Sequence, residues 1–257
     1  MQSTAQDNTQ RFGHTVNAYS KYRPTYPHAV LELLLKQKII NSTSTIADIG
    51  AGTGIFTELL LESQAQVFAV EPNKEMCDAA IDSLSHHPNF DGICAPAEAT
   101  TLRDMSVDLI TVATAFHWFD REKCKKEFAR ILRRNGHVML IWNLRLTTLS
   151  PVTKGFDDIL KKYSNDYVGI PSQQIAENEF IDFFSDGYPE IVTFDNQQEF
   201  TYDEFEGRLH SVSFALTPEH PNYCAMINSL KELFDKEQSE GKIIFPYQTK
   251  AYLGKII

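Results

Sequence analysis

Ile46-Ala-Asp-Ile-Gly-Ala-Gly-Thr-Gly54 is the stretch that decides how this chain is read. Its first four residues make a short buried strand. The chain then breaks at Gly50, Gly52 and Gly54 and enters a helix-like run, Ile55-Phe56-Thr57-Glu58-Leu59-Leu60-Leu61. Alternating glycines between a strand and a helix suit a place where a ligand lies on bare backbone, because glycine adopts φ > 0 and has no Cβ to hold the ligand away. Open N–H groups at the helix start favour a carboxylate or a phosphate. The dinucleotide fingerprint G-x-G-x-x-G fails: from Gly50 its third glycine would fall at Ile55, and from Gly52 at Thr57. The phosphate loop needs Gly-Lys-Ser/Thr, and no lysine follows. What stands is D-x-G-x-G-x-G led by Asp48. Glycine count alone also fits a plain tight turn, so the rest of the chain has to decide.

Downstream, Gln66 to Val70 reads as a second strand ending in Glu71-Pro72. An acidic side chain at the end of strand two is placed to accept ribose hydroxyls in a doubly wound fold. Met76, Cys77, Ala80, Ile81 and Leu84 recur at helical spacing and mark a core stripe. A third strand covers about Phe90 to Cys94, before Ala95-Pro96-Ala97-Glu98, and a fourth covers Val107 to Val112. Beyond it, Ala113-Thr114-Ala115-Phe116-His117-Trp118-Phe119-Asp120 crowds aromatics where open α/β sheets bind ligands. Asp120 is the expected N-cap of a helix over about 121–133, Asn135-Gly136 its expected stop, and His137 to Trp142 a central fifth strand. The order β-α-β-α-β-β-α-β predicts a parallel sheet with right-handed crossovers.

Upstream lies Val16-Asn-Ala-Tyr-Ser-Lys-Tyr-Arg-Pro-Thr-Tyr-Pro27, aromatic and basic, with an amphipathic helix over about 28–38 after it. Tyr19, Tyr22 and Arg23 suit either surface packing or the cover of a ligand, with Arg23 offering a fork to a carboxylate. After strand five the pattern changes. A helix is expected over 151–163, a strand over 190–200, a capping box at Thr201 to Glu204 opening a helix to about 210, and a helix over about 222–238. The C-terminal run reads as an edge strand interrupted near Pro246. The expected division is one domain over 1–257: a lid and helix at 1–40, a ligand-binding core at 41–144, a helical cap inserted at 145–190, and strands and helices at 191–257.

Bulk properties agree with an ordinary globular chain. The chain has 257 residues, 42% hydrophobic and 23% charged, and a net charge of −10. That balance disfavours a nucleic-acid or anionic-membrane surface. Cys77, Cys94, Cys124 and Cys224 show no C-x-x-C pair, so four free thiols in a reducing cytoplasm are expected, with no metal site. No apolar run near the N-terminus is long enough to span a bilayer.

Taken together, Asp48 to Gly54, Val70-Glu71-Pro72, Ala97-Glu98, Val107-Asp108-Leu109-Ile110 and Asn135-Gly136 resemble the class I S-adenosylmethionine (SAM)-dependent methyltransferases of the type 11 kind. Tyr19 to Pro27 and Ala115 to Asp120 are similar to a small-molecule subgroup that includes trans-aconitate methyltransferase-like proteins. The resemblance runs from about residue 12 to the C-terminus, though 145–240 carries no specific motif. It implies a Rossmann-like doubly wound α/β fold, with a mainly parallel seven-stranded sheet, helices on both faces and a helical cap insertion. It also implies that SAM is used, that S-adenosylhomocysteine is released, and that no metal takes part. Asp48, Gly50, Ala51, Gly52 and Gly54 would then hold the methionine part, Glu71 and Pro72 the ribose, and Ala97 and Glu98 the adenine. Thr114, Phe116, Tyr19 and Arg23 would complete the cofactor site.

SAM carries its own activated methyl group, so the protein's task is to place a nucleophile in line with the S–CH3 bond and exclude water. A carboxylate acceptor needs no base, whereas other O, N or C nucleophiles gain from one. His117 is the best-placed histidine for that role, with a structural or adenine-side contact as its alternative. Tyr22, His117 and Trp118 are the expected acceptor contacts. The cap and the segment from Arg208 to Phe214 are expected to shape the acceptor pocket. The partner expected is a small molecule bound by a cytoplasmic monomer or homodimer. A non-catalytic SAM-binding regulator, an RNA methyltransferase and a nicotinamide oxidoreductase are the competing functions; the net charge opposes the second and the glycine spacing the third.

Overall fold

The computed structural model describes residues 21–148, 150–164, 167, 177–185, 189–212 and 214–256. Tyr19 lies outside them. The elements in chain order are α1 (His28–Lys36), β1 (Thr45–Ile49), α2 (Ile55–Leu61), β2 (Gln66–Val70), α3 (Lys74–Leu84), β3 (Phe90–Ile93), β4 (Val107–Ala113), α4 (Arg121–Ile131) and β5 (Leu132–Leu144). Then follow α5 (Pro151–Tyr163), α6 (Glu177–Ile181), β6 (Glu190–Phe200), α7 (Tyr202–His210), α8 (Tyr223–Glu237) and β7 (Ile243–Gly254).

The strands form a seven-stranded sheet in the order β3-β2-β1-β4-β5-β7-β6. The first five pair in parallel, while β7 runs antiparallel to both β5 and β6. β1 lies between β2 and β4, so the crossovers diverge there and leave a crevice beyond the strands' carboxyl ends. The mainly parallel α/β architecture expected from the sequence is therefore observed.

Strand alternation builds a core on each face. Ile46, Val67, Leu109, Met139 and Ile141 pack under α1 and α2 with Leu34, Phe56 and Leu60. Ala47, Ile110, Val112, Leu140 and Trp142 point the other way, onto Phe128 and Ile131 of α4 and Phe180 of α6. A third cluster joins Phe156 of α5, Phe205 of α7 and Leu230 of α8 to Phe200, Ile243 and Phe245 at the ends of β6 and β7. Caps fix several helix starts. Asn73 accepts from the Met76 N–H and Asp120 from the Lys123 N–H, and Thr201 and Glu204 form the reciprocal box.

Three expectations are corrected. α4 does not stop at Asn135-Gly136; it ends at Ile131, and that pair lies inside β5. The register against β4 jumps there, from Val107↔Leu132 to Leu109↔His137, so the extra residues are absorbed as a bulge. A Cβ on Gly136 would sit 2.6 Å from Leu132 Cδ2 and 3.1 Å from the Asp108 carbonyl, so the bend requires glycine. Next, β7 is neither broken nor at the edge. It continues through Pro246, where only β6 flanks it, because pairing with β5 begins at Gln248. The missing N–H is tolerated where one side of the strand has no ladder. Finally, the cysteines are not four free thiols. Cys77 of α3 and Cys94 just after β3 form a disulfide, brought together by the packing of α3 on β3; Cys124 is free and buried, and Cys224 is free and exposed. Among the described residues, no helix is long and apolar enough to cross a membrane.

Candidate active site

The loop from Gly50 to Gly54 leaves β1 in a run that needs left-handed backbone, with φ of 70° at Gly50, 60° at Gly52 and 87° at Gly54. Gly50 also admits the segment after β4, since a Cβ there would lie 2.5 Å from that of Ala115. Gly54 caps α2 against Leu84, whose Cδ1 would be 2.6 Å from an added Cβ. So the outer two glycines serve close packing of the protein on itself.

Two carboxylates organise this loop from behind. Asp48 is fully buried and accepts from Thr57 Oγ1 and Thr111 Oγ1, each at 2.7 Å. It ties β1 to α2 and β4, and burial lifts its pKa from 3.8 to about 6. Both its oxygens are engaged in the core, where they brace the loop from behind. Glu71, at the end of β2, is also buried; its Oε2 accepts the Gly52 N–H and its Oε1 the Asn73 N–H, both at 2.9 Å. Each oxygen keeps a lone-pair direction for a further donor. Burial raises the Glu71 pKa, partly offset by those two N–H groups. Beside it Pro72 is exposed, Ala97 is buried, and Glu98 accepts the Asp120 N–H at 3.0 Å.

Beyond β4 the chain turns sharply. Thr114 has φ 57°, uncommon for a β-branched residue. It is held by its N–H to the Ile141 carbonyl at 2.8 Å and by its hydroxyl to that of Tyr26 at 2.9 Å. The 3-10 turn Phe116–Trp118 then divides its aromatics. Phe116, expected to complete the cofactor site, is fully buried and packed edge-on against Phe183 and Trp142. His117 and Trp118 line a cavity.

That cavity, of about 170 Å³, opens between the glycine loop and the later elements. Gly50, Ala51, Gly52, Thr114, His117 and Trp118 meet Asn143 at the end of β5 and Arg145 just beyond it, together with Tyr167, Arg208 and Tyr247. His117 is half-buried, and its Nδ1 has no partner among the described residues. Burial first, and then the charge of Arg23, lower its pKa to about 4, so the imidazole is neutral near pH 7. Arg23 lines the cavity too, and donates through Nε and Nη2 to the Ser211 carbonyl at 3.2 and 3.0 Å. Tyr22 lies against α7, where a Cβ on Gly207 would be 2.3 Å from its ring. Asn143 Nδ2 donates to the Thr25 carbonyl at 3.1 Å and Asn196 Nδ2 to the same oxygen at 2.8 Å, so residues 22–26 cross the sheet ends as a strap.

Arg208 belongs to the segment expected at the pocket, whereas Asn143, Arg145, Tyr167 and Tyr247 line it without having been expected there. Asn143 and Arg145 had a signal, since they follow the carboxyl end of a central strand. Tyr247 had none, because its strand was expected at an edge.

A methionine-nucleoside cofactor fits these residues. Thr53 Oγ1, in the glycine loop, is buried with no partner among the described residues, so it awaits a polar contact. The Glu71 carboxylate lies at the loop's other flank, against the Gly52 N–H.

Comparison with known proteins agrees. The family described as "Methyltransferase domain" matches residues 47–140. An uncharacterized methyltransferase-like protein of Schizosaccharomyces pombe is 31% identical over 247 residues, which is 94% of this chain and 93% of that protein. Among solved structures, a candidate type II methyltransferase of Anaeromyxobacter dehalogenans superposes with a TM-score of 0.69 at 21% identity, over 92% of this chain and 99% of the other. Geranyl diphosphate C-methyltransferase of Streptomyces coelicolor, solved with S-adenosyl-L-homocysteine bound, superposes at 0.50 and 13% identity, over 89% and 76% of the two chains. Similarity to the Schizosaccharomyces pombe protein covers nearly the whole chain and not the glycine loop alone, and this chain belongs to the class I S-adenosylmethionine-dependent methyltransferases.

Proposed function

We propose that the protein methylates a small-molecule acceptor bound in the cavity beside the glycine loop. One observation carries this reading: the glycine loop and the side chains of the later elements line one cavity of about 170 Å³, which offers a small acceptor a place beside the cofactor loop. The stretches 1–40, 41–144, 145–190 and 191–257 would then serve as lid, cofactor core, cap and support of one domain.

When bound, SAM supplies a methyl group already activated on a sulfonium. The chain's own residues do the rest. The main chain of Gly50 to Gly52 and the Thr53 hydroxyl would hold the amino-acid end, Glu71 would accept the ribose hydroxyls, and Ala97 and Glu98 would border the adenine. Thr114 fixes the turn that brings His117 and Trp118 to the cavity. His117, neutral near pH 7, would accept a hydrogen bond, and then the proton, from an O–H or N–H acceptor. A pKa of about 4 makes it a weak base, so its larger contribution is orientation. Holding donor and acceptor in line supplies roughly 7–11 kcal/mol of the barrier reduction.

Titration calorimetry with SAM, S-adenosylhomocysteine and NADH tests the cofactor, and methyl transfer from labelled SAM to a panel of small acceptors tests the reaction. Binding of both sulfur compounds and transfer to a small acceptor are expected. Transfer to RNA alone, or SAM binding with no transfer to any acceptor, would overturn the proposal.

A further inference from the structure

The later elements bring buried cations to the cavity wall. Arg208 of α7 is 4% exposed. Its Nε donates to the Tyr247 hydroxyl and its Nη1 to Ser211 Oγ, each at 3.0 Å. Its Nη2 has no hydrogen-bond partner among the described residues. Arg145 is 7% exposed and donates through Nη2 to Asp157 Oδ1 at 3.2 Å and to the Tyr167 hydroxyl. Both guanidinium groups lie over the Phe156 ring, their Cζ atoms 5.0 Å (Arg145) and 5.8 Å (Arg208) from its centroid. Arg23 adds a third cation at the same wall. Asp157, which pairs with Arg145, also takes Lys161 on its Oδ2 at 2.7 Å. Among the described residues no carboxylate pairs with Arg208.

A buried cation without a counter-charge is costly, and an anion with good geometry offsets that cost. A guanidinium fork favours the two oxygens of a carboxylate or phosphate. Nε and Nη1 of Arg208 are fixed by protein oxygens, so its orientation is set before any ligand arrives.

We propose that the methyl acceptor carries an anionic oxygen group, a carboxylate or a phosphate, which docks on Arg208 as a handle and is not itself methylated. This rests on the methyltransferase reading and adds the acceptor's chemical class. An oxygen whose lone pairs accept from a guanidinium has its charge stabilised and is a poorer nucleophile. The reacting atom is therefore a different one on the same molecule, placed toward His117 and the glycine loop, which share the cavity with Arg208.

The test uses the full chain loaded with S-adenosylhomocysteine and titrated with succinate, glycerol 3-phosphate and, as an uncharged control, succinamide. At least one anion is expected to bind and the diamide is not; which anion binds separates carboxylate from phosphate. Arg208→Gln should weaken that binding at least tenfold while S-adenosylhomocysteine affinity stays within about twofold. Tyr247→Phe, which frees Nε without removing the charge, should weaken it severalfold and serves if the first variant does not fold. Loaded protein that binds neither anion, equal binding of the diamide, or unchanged anion affinity in the folded variants would overturn the proposal. So would loss of S-adenosylhomocysteine binding in Arg208→Gln, which would assign the arginine to the cofactor's own carboxylate. A wild-type protein that binds no S-adenosylhomocysteine would instead overturn the methyltransferase reading.

Discussion

Asp48 keeps its carboxyl in the core, hydrogen-bonded to two hydroxyls, and that has a cost which depends on pH. Its folded pKa, about 6, lies above the ordinary 3.8. The native state therefore holds the proton where the unfolded chain has lost it, and this group's contribution to stability falls as pH rises from about 4 to 6. At neutral pH the cost is on the order of 3 kcal/mol. His117 works in the opposite direction: its folded pKa of about 4 lies below 6.5, so its contribution is full above that value and is lost as pH falls toward 4. The two slopes oppose each other in one pH window. Asp48→Asn should remove the first and expose the second, so that its Tm climbs between pH 4.5 and 6.5 more steeply than that of the wild type. Parallel calorimetric profiles would refute this. Glu71 offers a second test. Glu71→Ala removes charge-assisted hydrogen bonds worth roughly 1.5–3 kcal/mol, so S-adenosylhomocysteine should bind about 10- to 100-fold more weakly. Glu71→Gln, which keeps an oxygen but not the charge, should fall between, and unchanged calorimetric affinity in a folded Glu71→Ala would exclude the ribose role.

Between elements, the contact of the strap with α7 is the most exposed to mutation. Gly207 lies inside the helix, where alanine would be favoured by roughly 1 kcal/mol on propensity alone. Yet its Cβ would meet the Tyr22 ring at 2.3 Å. Gly207→Ala is therefore expected to leave α7 as stable as before or more so, while pushing Tyr22 away. Trypsin should then cut after Lys21 faster than in the wild type with no fall in Tm; equal cutting would show that the ring adjusts in place. The elements themselves were the most legible part of the sequence. β1, β2 and α5 follow from apolar periodicity, and the α7 start from a local cap. What failed were boundaries decided at a distance. Asn135-Gly136 carries a stop signal that holds for an isolated helix, but pairing with β4 turned it into a bulge. Pro246 signals an edge, and only the end of β5 shows why it is tolerated beside a central strand.

For the molecule as a whole, the Cys77–Cys94 link joins α3, which follows Glu71, to the segment that leads to Ala97 and Glu98. Closing a loop of that size stabilises a fold by about 3 kcal/mol. Dithiothreitol should lower the Tm by several degrees and weaken S-adenosylhomocysteine, and Cys94→Ser should abolish both responses; a wild type indifferent to reductant would rule the link out. Such a bond was not legible in the sequence because nothing in spacing alone pairs two cysteines on different elements. The site was legible to the extent that it was local. The glycine loop, Glu71 and His117 could be named, since each follows a strand end. Of the cationic wall only Arg208 could be named, through its segment, because Arg145 looks like an ordinary surface charge until Asp157, Phe156 and Tyr167 enclose it. Thr114, finally, bears on how this protein would change under selection. A β-branched residue held at φ 57° stores about 1–3 kcal/mol, and asparagine adopts that backbone more easily. A laboratory lineage bred for heat resistance would therefore find Thr114→Asn early, give up the hydroxyl latch to Tyr26, and gain tolerance in exchange for a looser chamber.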